Sequence, residues 1–123
     1  MSQGTRVAVC QWSALREGAP VGVRSLEVDL VVVRRGSEAS VLASRCPHRG
    51  ASLADASIEA GALVCKEHGW DFRLDTGESP SLAGECVHRF ETWVDEGQDR
   101  VFVDPIELRS VRRELDAELS YRL

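Results

Sequence analysis

Cys46-Pro47-His48-Arg49-Gly50 and Cys65-Lys66-Glu67-His68-Gly69-Trp70 are the two stretches on which the reading of this chain turns. As a pattern they are Cys-x-His, sixteen intervening residues, then Cys-x-x-His. Each offers one thiolate and one imidazole from a short loop, so two loops can clamp one metal centre from both sides. Thiolates favour iron–sulfur clusters and zinc, and imidazole suits both. Zinc fingers usually pair cysteine with cysteine and histidine with histidine, whereas each motif here mixes the two types. A zinc-stabilised interaction module therefore stays as an alternative, with iron–sulfur chemistry ahead of it. Gly50 and Gly69 follow the histidines and let the backbone turn tightly around the bound group.

Outward from these loops, the chain reads as short strands broken by turns. Thr5 to Cys10, Val21 to Arg24 and the Val-rich Glu27 to Arg35 precede the first motif. Arg35-Gly36-Ser37-Glu38 has the composition of a hairpin loop, with Ala39 to Ser44 returning. Ala62 to Cys65 is β-prone, and Trp70 to Leu74 alternates before the turn Asp75-Thr76-Gly77. Val87, Phe90, Trp93 and Val94 populate a longer strand, which Glu96-Gly97-Gln98-Asp99 turns into Arg100 to Val103. Short strands at such spacing predict an all-β sandwich or small barrel, with the metal loops as two hairpin tips.

The tail changes character. Asp104 is a good N-cap, Pro105 suits the first helical position, and Glu107 stands where a capping box wants it. Leu108, Val111, Leu115 and Leu119 then recur at helical steps between charged residues, which predicts an amphipathic helix folding back on the β-domain. A docking or linking role for this helix is the alternative.

Bulk properties set the outer bounds. One domain fits 123 residues, and 43% hydrophobic with 28% charged residues is ordinary globular composition. A net charge of −5 argues against nucleic acid, which rewards clustered Lys and Arg. Met1 to Val9 lacks the apolar run of a signal peptide, and Val28 to Val33 is too short to span a bilayer. A cytoplasmic protein without a membrane segment is the expectation. In that compartment Cys10 and Cys86 stay reduced, as small buried apolar side chains, and a disulfide between them would need oxidising surroundings.

Both ligand loops, with the Gly69-Trp70-Asp71-Phe72 run, resemble the Rieske ferredoxin family and the Rieske domains of ring-hydroxylating oxygenases. The similarity extends from about Val7 to Val103 and is strongest between Cys46 and Gly77. It implies a Rieske-type β-sandwich with a small cluster-binding subdomain, here followed by a C-terminal α-helix. On that division residues 1–104 are the Rieske [2Fe–2S] domain, with cluster-binding loops about 45–78, and residues 105–123 are the helix. The resemblance further implies one [2Fe–2S] cluster, with Cys46 and Cys65 on the inner iron and His48 and His68 on the outer, solvent-near iron.

Two departures narrow the class. Quinol-oxidising Rieske proteins carry an extra cysteine in each loop and hydroxyl residues after the second. This chain has Ala51, Lys66 and Glu67 at or near the former places, and Trp70 and Phe72 at the latter. Fewer donors to sulfur stabilise the reduced, more negative cluster less, so a potential at the low end, about −150 mV, is expected. His88 is the only histidine outside the motifs and is expected to be structural. Two histidines and a carboxylate for a mononuclear iron site are therefore not available. Arg49 is either solvated or turned to a partner, and Trp70 is expected to pack under its loop. The resemblance thus implies a one-electron carrier, not itself an enzyme, between a flavin-dependent reductase and a terminal oxygenase. The alternative is a Rieske small subunit or domain of a larger oxidoreductase such as nitrite reductase.

Overall fold

The structure is a computed structural model that describes residues 5–44, 53–66 and 69–122, with residues 115–122 as backbone only. Among the described residues, ten strands form three antiparallel sheets. The first sheet joins β1 (Val7–Cys10), β10 (Arg100–Val103) and β9 (Thr92–Asp95), in that order. The second joins β2 (Val21–Ser25), β3 (Val28–Arg35), β4 (Glu38–Ala43) and β8 (Arg89–Phe90). The third and smallest joins β5 (Ser57–Glu59), β6 (Ala62–Val64) and β7 (Asp71–Arg73). The all-β expectation holds, and the one α-helix among the described residues, α1 (Pro105–Arg122), follows β10.

The second sheet is the middle layer, and β3 shows why its sequence is apolar without alternation. Val28, Leu30 and Val32 face one buried cluster with Trp12, Val41, Phe90, Val101 and Val103. Val31 and Val33 face a second cluster with Leu42, Leu63, Phe72 and Leu74. A strand covered on both sides has no polar face to show. All of Leu30 to Val33 is sealed from solvent. The two clusters place the first sheet and the helix on one side of the middle layer, and the third sheet on the other.

Two-residue loops set the registers of three hairpins. Arg35 pairs with Glu38 around Gly36-Ser37, as the composition predicts. Ser25 pairs with Val28 around Leu26-Glu27, and both loop residues have positive φ, 48° and 65°. That is the backbone of a type I′ turn made without the usual Asn or Gly, so no sequence signal marks it. Glu59 and Ala62 close a similar loop at Ala60-Gly61.

The helix begins as expected, since Asp104 accepts the Ile106 N–H at 2.8 Å. Glu107 departs from the expected capping box. One of its oxygens accepts the Glu91 N–H at 3.1 Å, and the other lies 2.7 Å from His88 Nε2. The carboxylate thus ties the first helical turn to the β8 region instead of closing on its own cap. Leu108 and Val111 are buried in the first cluster, so the helix does fold back on the β-domain. Arg112 adds a bond to the Glu27 carbonyl at 2.9 Å and an ion pair to its carboxylate at 2.8 Å. Among the described residues, no helix is long and apolar enough to cross a membrane.

Candidate metal centre

The β6–β7 hairpin carries the second ligand segment. Leu63 pairs with Phe72 and Val64 with Asp71, and the ladder continues one step further. The Cys65 N–H donates to the Trp70 carbonyl at 2.7 Å, and the Gly69 N–H donates to the Cys65 carbonyl at 2.9 Å. Gly69 has φ +72°, the left-handed backbone that glycine adopts without penalty. Alternation along β6 sends Leu63 and Cys65 to one face. There Cys65 is 1% exposed and joins the cluster of Leu53, Leu63, Phe72 and Val87.

The first ligand segment has different flanks. Ser44 follows β4 of the middle sheet, and Leu53 opens a short 3-10 turn, Leu53–Asp55, that leads into β5 of the third sheet. Residues 45–52 therefore join two different sheets, so the expectation of two hairpin tips holds only for the second segment. Strand alternation cannot reveal this, because it does not say which sheet the next strand joins. The Leu53 N–H nevertheless donates to the Ser44 carbonyl, and the Ser44 N–H donates to the Asp29 carbonyl at 2.9 Å. Gly22 of β2 admits the 3-10 turn, for a Cβ there would stand 2.9 Å from the Ala54 Cβ.

Of the four expected ligands, Cys65 is described. Cys46, His48 and His68 lie outside the described residues, as do Arg49 and Gly50. The described flanks suit a shared centre. Leu53, at the end of the first segment, and Cys65, at the start of the second, belong to one buried cluster. Among the described residues, no group of three or more His, Cys, Asp or Glu side chains could hold a metal ion.

Around the hairpin, Trp70 is half-buried against the second cluster, the packing role expected of it. Asp71 anchors a neighbouring loop, a feature that sequence reasoning missed. It accepts from Ser79 Oγ at 2.9 Å, from Ser81 Oγ at 2.8 Å and from the Ser81 N–H at 3.4 Å. Partial desolvation raises the Asp71 pKa, but the Ser81 and Ser79 bonds outweigh it, leaving the carboxyl below its ordinary range. The partners lie eight and ten residues away, and no pattern in the chain links them. His88 is a structural residue as expected, with its ring 4.6 Å from that of Phe90 and its nitrogen on Glu107. Cys10 and Cys86 are free thiols. Cys10 is half-buried, and burial first, then the Asp99 charge, pushes its thiol up. Cys86 is exposed, contrary to the buried place expected for it, because it follows the surface loop that Asp71 holds.

Comparison with known proteins decides the family. The model of the Rieske [2Fe–2S] domain matches residues 5–93. The chain belongs to the Rieske [2Fe–2S] domain family. Membership implies a Rieske-type [2Fe–2S] cluster. Over 71 residues, 57% of this chain, it is 44% identical to the 3-chlorobenzoate-3,4-dioxygenase oxygenase subunit of Comamonas testosteroni, 15% of which is covered. Over 62 residues it is 32% identical to the ferredoxin component of an alkene monooxygenase system from Xanthobacter autotrophicus, covering 50% of this chain and 51% of that protein. The chain thus spans about half or less of these two relatives. The solved ferredoxin of carbazole 1,9a-dioxygenase from Nocardioides aromaticivorans superposes with a TM-score of 0.73 at 24% identity. That match covers 81% of this Rieske chain and 97% of the solved one, and it shows the shared fold. Helix α1 begins beyond the region that the family model matches.

Proposed function

We propose that this chain is a one-electron carrier whose Rieske cluster is held by Cys46, His48, Cys65 and His68. In this reading electrons arrive from a flavin-dependent reductase and leave to a terminal oxygenase, and the chain catalyses no reaction of its own. The observation that carries it is the buried Cys65 at the mouth of the β6–β7 hairpin, in one cluster with the residue that ends the first ligand segment. An oxygenase as the electron acceptor is supported by two similar proteins, the ferredoxin component of an alkene monooxygenase system and the ferredoxin of carbazole 1,9a-dioxygenase. The cluster would supply reversible one-electron chemistry. The chain's own residues exclude water from the thiolate side, through Leu63, Phe72 and Val87, and hold the ligand segments on a common base.

A low potential, about −150 mV, belongs to this proposal. Phe72 offers no hydroxyl, and the Ser79 and Ser81 hydroxyls after the hairpin are committed to Asp71. A cytoplasmic location and the division into a Rieske domain, 1–104, and a helical appendage, 105–123, belong to it as well.

The test is iron and acid-labile sulfide analysis of anaerobically purified protein, with visible absorption and EPR after dithionite reduction. Two irons and two sulfides per chain and a mixed nitrogen–sulfur [2Fe–2S] signal are expected. A colourless, EPR-silent protein containing zinc would overturn the reading. A second reading, a domain or small subunit of a larger oxidoreductase, draws on the identity to an oxygenase subunit. Size-exclusion of the native material separates the two, because a carrier elutes alone and a subunit with its large partner.

A further inference from the structure

We propose that Asp71 acts as a fixed, uncompensated negative charge that lowers the reduction potential of the cluster, an inference that rests on the ligation proposed above. Asp71 pairs with Val64, the residue immediately before Cys65, and it directly follows Trp70, whose carbonyl takes the Cys65 N–H. Strand rise and strand spacing put the Asp71 and Cys65 Cα atoms about 6 Å apart. Asp71 lies on the hairpin face it shares with Val64, opposite Cys65 and Phe72. Its charge therefore acts on the centre through the hairpin, where salt screens less than in open solvent. Reduction by one electron adds one negative charge to the centre, and a nearby fixed anion opposes it.

The partners of the carboxylate are what distinguish it. Ser79 Oγ, Ser81 Oγ and the Ser81 N–H hold it in place, and all three are neutral donors. Neutral dipoles fix the carboxylate and keep it ionised without cancelling its charge. Asp75, two residues past β7, is the contrast. Its two oxygens meet Arg73 Nε and Nη2, each at 2.9 Å, so a cation offsets its charge. Asp29 is likewise matched by Arg24 at 2.8 Å. On the strand that leaves the ligand hairpin, Asp71 therefore projects its charge and Asp75 does not. The same bonds also tie the loop around Ser79–Leu82 to β7, since Ser79 Oγ in turn accepts the Leu82 N–H at 3.0 Å. A loop-anchoring role alone would leave the potential where it is, so the two roles can be separated.

The experiment compares midpoint potentials of the full chain with its cluster, by redox titration followed in the visible spectrum. Asp71→Asn should shift the potential upward, by an amount that shrinks as salt is added. The Ser79→Ala/Ser81→Ala pair frees the loop but keeps the charge. It should speed limited proteolysis of the loop without raising the potential. Removing both charges of the neighbouring ion pair, Arg73→Gln with Asp75→Asn, should leave the potential nearly unchanged. Asp71→Ser, a second neutral replacement, should also raise the potential, and it decides the matter where Asp71→Asn does not load iron. An unchanged potential in loaded Asp71→Asn, or an equal rise in the serine pair, would overturn the inference. Wild-type protein without iron and sulfide is a different outcome, seen before any variant is made, and it removes the ligation itself.

Discussion

Replacing Gly77 with Ala should damage this fold far more than the same change at Gly84, although both glycines have positive φ, +82° and +87°. An alanine at either site carries the left-handed backbone cost of about 1–2 kcal/mol. At Gly84 nothing lies within 4 Å of the added Cβ, so the cost ends there. At Gly77 the Cβ would stand 2.2 Å from the Val87 carbonyl oxygen, so the two segments must separate by about 1 Å to reach ordinary contact. That separation stretches the bond from the Val87 N–H to the Gly77 carbonyl, now 2.8 Å, which contributes about 1 kcal/mol. It also drags Val87 from the cluster it shares with Cys65 and Phe72, a packing strain of about 1–3 kcal/mol. The sum is about 3–6 kcal/mol for Gly77→Ala against about 1–2 kcal/mol for Gly84→Ala. Urea unfolding of both variants beside the parent protein reads the difference, as a midpoint lower by about 1–3 M for Gly77→Ala. Equal midpoints for the two variants would show that the close approach to Val87 is not part of the folded protein, and the reasoning would fail.

Other outcomes are expected on the same physical grounds. Ala60→Asn should raise stability by about 0.5–1 kcal/mol, because Ala60 holds φ +51° in a turn that asparagine tolerates better; an unchanged thermal midpoint would count against it. Leu108→Ala should cost about 2–5 kcal/mol by opening a cavity under α1, whereas Ile106→Ser, at 69% exposure, should stay within about 0.5 kcal/mol. If the two were alike in urea, the helix would not be part of the core. The Arg73 hydrogen bonds hold the Asp75 carboxyl down at about 2, below the ordinary carboxylate range. A carboxylate with a depressed folded pKa adds stability above its unfolded pKa and loses it as the proton arrives. Stability should therefore fall as pH drops from about 4 to about 2, and Arg73→Gln should flatten that part of an acid titration followed by circular dichroism.

The His88–Glu107 contact also bears on how the helix is joined to the site. The His88 carbonyl accepts the Ala43 N–H at 2.9 Å, next to Ser44 and the start of the first ligand segment. Its side chain meets Glu107 in the first turn of α1. One residue thus links the middle sheet, at the point where it leads into the candidate centre, to an element that the family model does not include.

The chemistry of this protein and its all-β class with a terminal helix were written in local sequence, and the way its layers meet was not. Two mixed Cys/His motifs named the metal class, because ligand type and spacing are properties of a few adjacent residues. Gly36-Ser37, Asp104-Pro105 and the step pattern of Leu108 and Val111 likewise marked a turn, a helix start and a buried helical face, since each acts within a turn or two of itself. Where partners come from afar, the chain was silent. Leu26-Glu27 turns a hairpin without turn residues because β2 and β3 are held by the clusters on either side. The first ligand segment passes between sheets, Glu107 spans to the β8 region, and Asp71 gathers two serines from a separate loop. These contacts depend on which layers meet, and burial summed over the whole fold, which no short window of residues contains, decides that.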